Sequence, residues 1–485
     1  MRWPDSRLIG WCAGVGLAAA LAAAAGAAAP ATYGARTTAD EPQYLLSALS
    51  LAEDGDLDIA DELADRRWRA FHAVGLPEQT RPLPGGRRVS PHDPLLALLL
   101  APGMGAAGWL GAKLTLAVVA GALAALLTWT AAVRYGVAPA VAAACAGAFT
   151  LSAPLAAYGA QVYPELPAAL AVSAAIALLT GPLRRAALLG LATAVVALPW
   201  LGLKYAGVAA TLALLGTGRL ARAGRVWAAA GFLGGLVAAG VVFLAVHQAV
   251  WTGWTAYASA DHFAASGELG VVGFAPDYLG RSTRLLGLLA DRGFGLAAWQ
   301  PAWLLTVPAL AALTRPRKAA APPDLAAAWA AAAPPPPSGR AVLVGPLAAG
   351  WLTATFVALT MHGWWFPGRQ VVVVLPAAVL AVAVWAQGSR ARLRAVLGLG
   401  AVGVATWAWL AAETLTGRRT LVVDFAATAN PLYRAWSLLL PDYLDPGPRT
   451  WLLHAAWLAA LAVLAVLGRR GTPQPTENSA TMPSS

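Results

Sequence analysis

The chain has 485 residues, 59% of them hydrophobic and only 12% charged. A soluble domain carries about 25% charged residues, so this composition, with a mean hydropathy of +0.61, excludes an ordinary water-soluble protein and predicts an integral membrane protein. The net charge of +11 does not point to nucleic acid, because much of the Arg sits in short loops between apolar runs, as the positive-inside rule expects.

A hydrocarbon core about 30 Å thick takes roughly 20 apolar residues per helix. The runs are long and rich in Ala, Leu, Val and Gly, which reads as helices and not as barrel strands of about ten alternating residues. The first run, 8–29, follows Arg2 and Arg7. It is longer than a signal-peptide core and is read as an uncleaved helix. Cys12 and Cys145 both lie in apolar runs and suggest neither a disulfide framework nor a metal site. The segment 30–93 is polar, with an amphipathic stretch at Tyr44–Ala52 and an acidic one at Glu53–Asp65. The apolar piece 94–106 is too short to span comfortably and suits the interface.

Helices are predicted over 109–133, 138–156, 164–180, 186–200, 203–217 and 226–250. A second polar segment, 251–293, is rich in the aromatic residues that favour the headgroup zone. Further helices are predicted over 294–313, 341–360, 370–387, 395–415 and 450–468, with a Pro-rich loop at 314–340. The tail 469–485 has a disordered composition. The predicted fold is all-α and polytopic: about 12 transmembrane helices within residues 1–468, and a long first extracytoplasmic loop carrying juxtamembrane helices.

With that count, the basic clusters at 2–7, 134, 184–185, 219–225, 315–318, 390–394 and 469–470 fall on one side. That side is cytoplasmic by the positive-inside rule, which puts both termini inside, in a plasma (inner) membrane. The opposite side collects Asp40, Glu41, His92, Asp93, Tyr163, Glu165, Lys204, Tyr205, Asp261, His262, Asp291, Arg292, His362 and Arg369. The mid-helix stretches are almost free of charge. A transporter or lipid flippase, the alternative reading, would place polar residues near the midplane.

Asp40-Glu41 is the most telling pair. Ionisable groups at the bilayer boundary usually face a cavity and mark a site, although an Asp helix cap on a solvated loop is the plain structural reading. Plain readings stand beside the others too. Glu165 suits a helix dipole, Lys204 and Arg369 suit snorkelling to headgroups, His362 suits an aromatic belt and Asp291-Arg292 a surface ion pair. Asp261 and His262 read as loop residues. Asp54-Gly55-Asp56-Leu57-Asp58 has the acidic alternation of a calcium loop, but Ile59 and Asp65 stand where an EF-hand needs Gly and Glu. It is read as a solvated acidic loop. No convincing nucleotide-binding Gly loop occurs.

Several motifs, in order, resemble the C-type membrane glycosyltransferases, such as protein O-mannosyltransferases and the aminoarabinose transferases of lipid A. They are Asp40-Glu41 with Tyr44 three residues on, Ser90-Pro91-His92-Asp93-Pro94-Leu95, Tyr163-Pro164-Glu165-Leu166-Pro167, and Leu198-Pro199-Trp200 with Lys204-Tyr205. Asp291-Arg292-Gly293-Phe294-Gly295-Leu296 and Gly363-Trp364-Trp365-Phe366-Pro367-Gly368-Arg369 resemble bacterial members. Asp93, inserted before Pro94, departs from the His-Pro-Pro pattern.

The resemblance implies transfer of a sugar from a polyprenyl-phosphate donor to a polysaccharide, lipid or protein acceptor at the extracytoplasmic face. Asp40 is the implied base, with Glu41 assisting. Arg369 and Lys204 would stabilise the leaving phosphate. Tyr44, His92, Asp93, Tyr163, Glu165, Tyr205, Asp291 and His362 are implied substrate contacts. No cofactor is certain; Asp40, Glu41 and Glu165 could hold a divalent cation such as Mg²⁺ or Mn²⁺. Membrane lipids are the other expected partners, and no nucleic acid.

Overall fold

Inside a bilayer, backbone N–H and C=O groups must be paired within the chain, and long Ala- and Leu-rich runs achieve this as helices. A computed structural model describes residues 6–262, 276–314 and 339–470. The basic cluster 315–318, most of the Pro-rich loop and the tail from 471 lie outside the described residues. Among the described residues all regular structure is helical, with isolated bridges such as Asp58 to Val89 in the first polar segment.

Helices of seven residues or more are numbered here as α1 (Ser6–Ala24), α2 (Glu41–Glu53), α3 (Leu95–Tyr135), α4 (Pro139–Thr150), α5 (Glu165–Leu179), α6 (Arg185–Leu201), α7 (Ala206–Arg222) and α8 (Val226–Trp251). After them come α9 (Arg284–Ala290), α10 (Thr306–Leu313), α11 (Gly339–Leu352), α12 (Leu375–Ala386), α13 (Arg390–Leu415), α14 (Pro431–Ser437) and α15 (Pro448–Arg469). Among the described residues six stretches are long and apolar enough to cross a membrane: Ser6–Ala24, Leu95–Tyr135, Val226–Trp251, Gly339–Val357, Arg390–Leu415 and Pro448–Arg469. Others, among them Pro139–Thr150, Glu165–Leu179 and Arg185–Leu201, are apolar but shorter. α8 and α15 leave large apolar side chains outward, including Val237, Val241, Leu452 and Val463. Exposed apolar surface on that scale marks a membrane or partner face. α5 and α12 instead lie in the core.

Several expected elements differ, each for a local reason. The first helix stops at Ala24, and residues 25–28 turn, with Ala27 and Ala29 buried. The expected helix 138–156 ends at Thr150 before a turn containing Pro154. The expected helix 294–313 is broken into Leu296–Trp299, a 3₁₀ turn at Pro301–Leu305, and α10. Pro301 supplies no N–H to continue a helix. α11 runs into a π-turn at Thr353–Val357. Of the stretch expected to be amphipathic, Tyr44–Ser50 is buried on every side, while Leu51 is half-buried and Ala52 exposed. Lys113 and His247 are buried within apolar helices, so those stretches are less free of ionisable groups than the charge pattern suggested. The loop 54–58 is exposed or half-buried, as a solvated acidic loop should be, whereas Glu62, further along the acidic stretch, is 2% exposed.

The expected break between 94–106 and 109–133 is present inside α3. Ala107 (φ −148°, ψ 26°) and Gly108 (φ 61°, ψ −152°) leave helical geometry, and only Gly takes the latter readily. The two arms then touch through backbone: a Cβ on Gly111 would run into the carbonyl of Gly103. Gly111→Ala is expected to destabilise the protein by about 1–3 kcal/mol, the usual scale of overpacking. Gly105→Ala, where the nearest atom is an ordinary 3.5 Å away, is the matched control. Thermal unfolding in detergent measures both.

Candidate functional site

Four segments bring their polar residues together. They are the residues before α2, the start of α5, the 3₁₀ turn Leu203–Tyr205 between α6 and α7, and the loop 358–371 that follows the π-turn. Arg369 stands at the centre. Its Nη2 donates to Oδ2 of Asp40 at 2.7 Å and its Nε to Oε1 of Glu165 at 3.0 Å. Lys204 Nζ donates to the same Glu165 oxygen at 2.5 Å. The guanidinium also lies 4.1 Å from the Tyr163 ring and 4.7 Å from that of Trp365. Such faces attract a cation, more strongly when it is desolvated.

The loop holds Arg369 in place by identifiable bonds. Tyr158 donates its hydroxyl to the Phe366 carbonyl at 2.5 Å. Gly368 has φ 87°, and a Cβ there would meet Leu296 at 2.9 Å. A side chain at 368 would therefore displace the residue that aims Arg369. Ala39 occupies the left-handed region at φ 48°, costly for a residue with a Cβ. Glu41 Oε2 accepts from Thr38 N at 2.8 Å and Oε1 from Val162 N at 2.7 Å. These bonds tie the Asp40 loop to the turn that begins α5.

A cavity of about 330 Å³ opens beside this network, within the range of small-molecule sites. Asp40, Lys204, Tyr205, Trp365 and Arg369 line its polar side; Gly350, Thr353, Ala354 and Val357 line its apolar side. Asp40 retains 20% side-chain exposure and Lys204 31%, while Glu165 has none. Burial pushes the Asp40 carboxyl upward, but the Arg369 guanidinium outweighs it and holds it below its ordinary value. His92 stacks on Tyr44 with centroids 4.6 Å apart, and its Nε2 is 3.9 Å from Asp40 Oδ1. Burial, only partly offset by Asp40, draws the His92 pKa down and favours the neutral ring.

The other predicted residues sort differently. Glu41 is fully buried behind the cavity, so on this geometry it positions Asp40 and does not face a substrate. Asp93 turns away to His247, 3.1 Å distant, and accepts from Leu203 N at 3.3 Å. It braces the turn that carries Lys204. Asp291 lies elsewhere, accepting from the backbone of Gly293, Phe294 and Tyr443, with His362 Nε2 at 3.7 Å. Neither lines the cavity. Asp261 and His262 fall in a 3₁₀ turn, and Asp261 does not line it either.

The divalent-cation expectation for Asp40, Glu41 and Glu165 does not fit this arrangement. Asp40 and Glu165 are turned to Arg369 and Glu41 to backbone donors. Among the described residues, the one group of three such ligands close enough to share an ion is Asp54, Asp61 and Glu62. Sequence reasoning missed His247 and Tyr158, and it named Trp365 only as part of a motif. His247 carried a usable signal, as an ionisable residue inside a membrane-length helix. Comparison of the chain with protein-family models, with curated proteins and with solved structures gives no match.

Removing Arg369 leaves the half-buried Asp40 without its cation and the fully buried Glu165 with Lys204 alone, against a typical cost of about 3–5 kcal/mol for breaking a buried pair. Arg369→Met is expected to lose stability on that scale. Arg67→Met breaks a pair with Glu53 whose side chains are 43% and 45% exposed, and should cost under about 1 kcal/mol. The Asp40 contribution has a definite pH sign. A carboxyl held low in the folded state stabilises above its unfolded pKa, and that stability is lost as pH falls through the folded value. Unfolding midpoints of the two variants, and of wild type against pH, test these points.

Proposed function

We propose that this protein is a membrane glycosyltransferase of the C-type, with about 12 spans. In this reading it transfers a sugar from a polyprenyl-phosphate donor to a hydroxyl acceptor at the extracytoplasmic face. The observation that carries the proposal is the cavity itself. A partly exposed carboxylate, Asp40, shares it with two cations, Arg369 and Lys204, and an apolar wall built by α11 and its π-turn lies opposite. A lipid phosphate needs both kinds of surface. The ordered motifs of the sequence support the same reading.

The chemistry follows from these groups. The acceptor hydroxyl gives its proton to Asp40 as its oxygen bonds to the anomeric carbon. The bond from that carbon to the phosphate oxygen breaks, and its electron pair leaves with the lipid phosphate. Arg369 and Lys204 offset the charge that develops there. Glu165 holds both cations at their inner side, and Glu41 fixes the Asp40 backbone. His92, neutral and stacked on Tyr44, fills the site beside the base.

Transfer of labelled sugar from polyprenyl-phosphate donors, in membranes with matched protein levels, tests the reading. Asp40→Asn is expected to lose about 10²–10⁴-fold in rate, the range for a positioned general base, while retaining its fold. Wild-type transfer should stay level from about pH 7 to about pH 5, because Asp40 titrates below the ordinary carboxylate range. Equal transfer by Asp40→Asn and wild type would remove Asp40 from the chemistry.

A further inference from the structure

The first polar segment holds a second cluster of charge, away from Arg369. Asp54, Asp56 and Asp58 follow the end of α2, and Asp61 and Glu62 lie on the short helix Ala60–Ala64. Two are used by the loop itself. Asp56 Oδ1 accepts from Ser50 Oγ and Asp58 N, both at 2.9 Å, and Asp58 Oδ1 accepts from Ala60 N and Arg88 N. The other three, Asp54, Asp61 and Glu62, converge, with one oxygen from each lying within 4.8 Å of the others.

Glu62 makes this more than an acidic surface. It is 2% exposed, and neither of its oxygens has a hydrogen-bond donor. The groups that face it are the carboxylates of Asp61 and Asp54. The nearby cation, Arg67, is engaged with Glu53 at 2.7 Å. The α2 C-terminus, with Asp54 as its final cap, adds the negative end of a helix dipole.

We propose that Asp54, Asp61 and Glu62 bind a hard divalent cation of the calcium class, which cross-links the end of α2 to the helix Ala60–Ala64. All-oxygen ligands, one exposed side for water and a turn at Gly55 (φ 81°) suit Ca²⁺, which takes six to eight oxygens in flexible geometry. Three carboxylates with water completing the shell place the affinity near the extracellular-module range, about 10⁻⁴–10⁻³ M. The proposal stands apart from the transfer chemistry and would survive its failure.

Equilibrium dialysis of ⁴⁵Ca²⁺ against the full chain in detergent, with unfolding midpoints over a CaCl₂ series, decides the matter. Wild type should bind one ion and gain thermal stability with rising Ca²⁺. Asp54→Asn, at an exposed position that leaves the buried core untouched, should weaken binding by about tenfold or more. Glu62→Gln should abolish binding and the Ca²⁺-dependent shift. Two results would overturn the proposal. One is absence of Ca²⁺ binding by wild type; a higher midpoint for Glu62→Gln would then mean that Glu62 simply carries a proton. The other is wild-type binding that both variants retain, which would place the ion elsewhere.

Discussion

One guanidinium bridges two carboxylates that are distant in the chain, Asp40 and Glu165. Burial disfavours each of the three charges, and their mutual pairing, with Lys204 as a second partner of Glu165, offsets that cost. Any arrangement that separates the start of α2 from the start of α5, or moves the loop 358–371, leaves an unpaired charge in a low-dielectric interior. The bridge therefore fixes the relative placement of three segments. It leaves Asp40 partly open to the cavity while closing Glu165 off completely.

The surrounding structure keeps that bridge from relaxing. Glu41 pins the Asp40 backbone to the turn before α5, Tyr158 pins the Phe366 carbonyl, and Asp93 with His247 braces the turn that carries Lys204. At the other end of α5, Arg134 and Arg219 donate to the carbonyls of Ala177, Leu179 and Gly181. Acid at the N-terminus and cations at the C-terminus both complement the helix dipole. The Arg residues that read as topology signals in the sequence thus also close a helix.

Much of this was legible in the chain before its structure. Long apolar runs located the helices closely where no Pro fell beyond the first turn, as for 226–250 against Val226–Trp251 and 164–180 against Glu165–Leu179. Internal Pro and the π-turn broke others, because hydropathy records burial and not hydrogen-bond continuity. Asp40, Glu165, Lys204 and Arg369 were each singled out as polar residues at helix ends, and the fold brings them into one network. Glu41 and Asp93 looked equivalent to them in sequence. Only three-dimensional placement reveals that backbone donors take up Glu41 and that His247 takes up Asp93. The burial of Glu62 was likewise invisible, since its neighbours are acidic and mostly exposed.

The central claim is that the cavity beside Arg369 receives a lipid phosphate, with Lys204 as the second cation. Binding of polyprenyl phosphate and of the matching polyprenol to the purified full chain, measured by native mass spectrometry for wild type and Lys204→Met, tests it directly. The account predicts that the phosphate binds, that the alcohol binds much more weakly, and that Lys204→Met reduces phosphate binding by about tenfold, the scale of one charge-assisted contact. Equal binding of phosphate and alcohol, or phosphate binding unchanged in Lys204→Met, would contradict it.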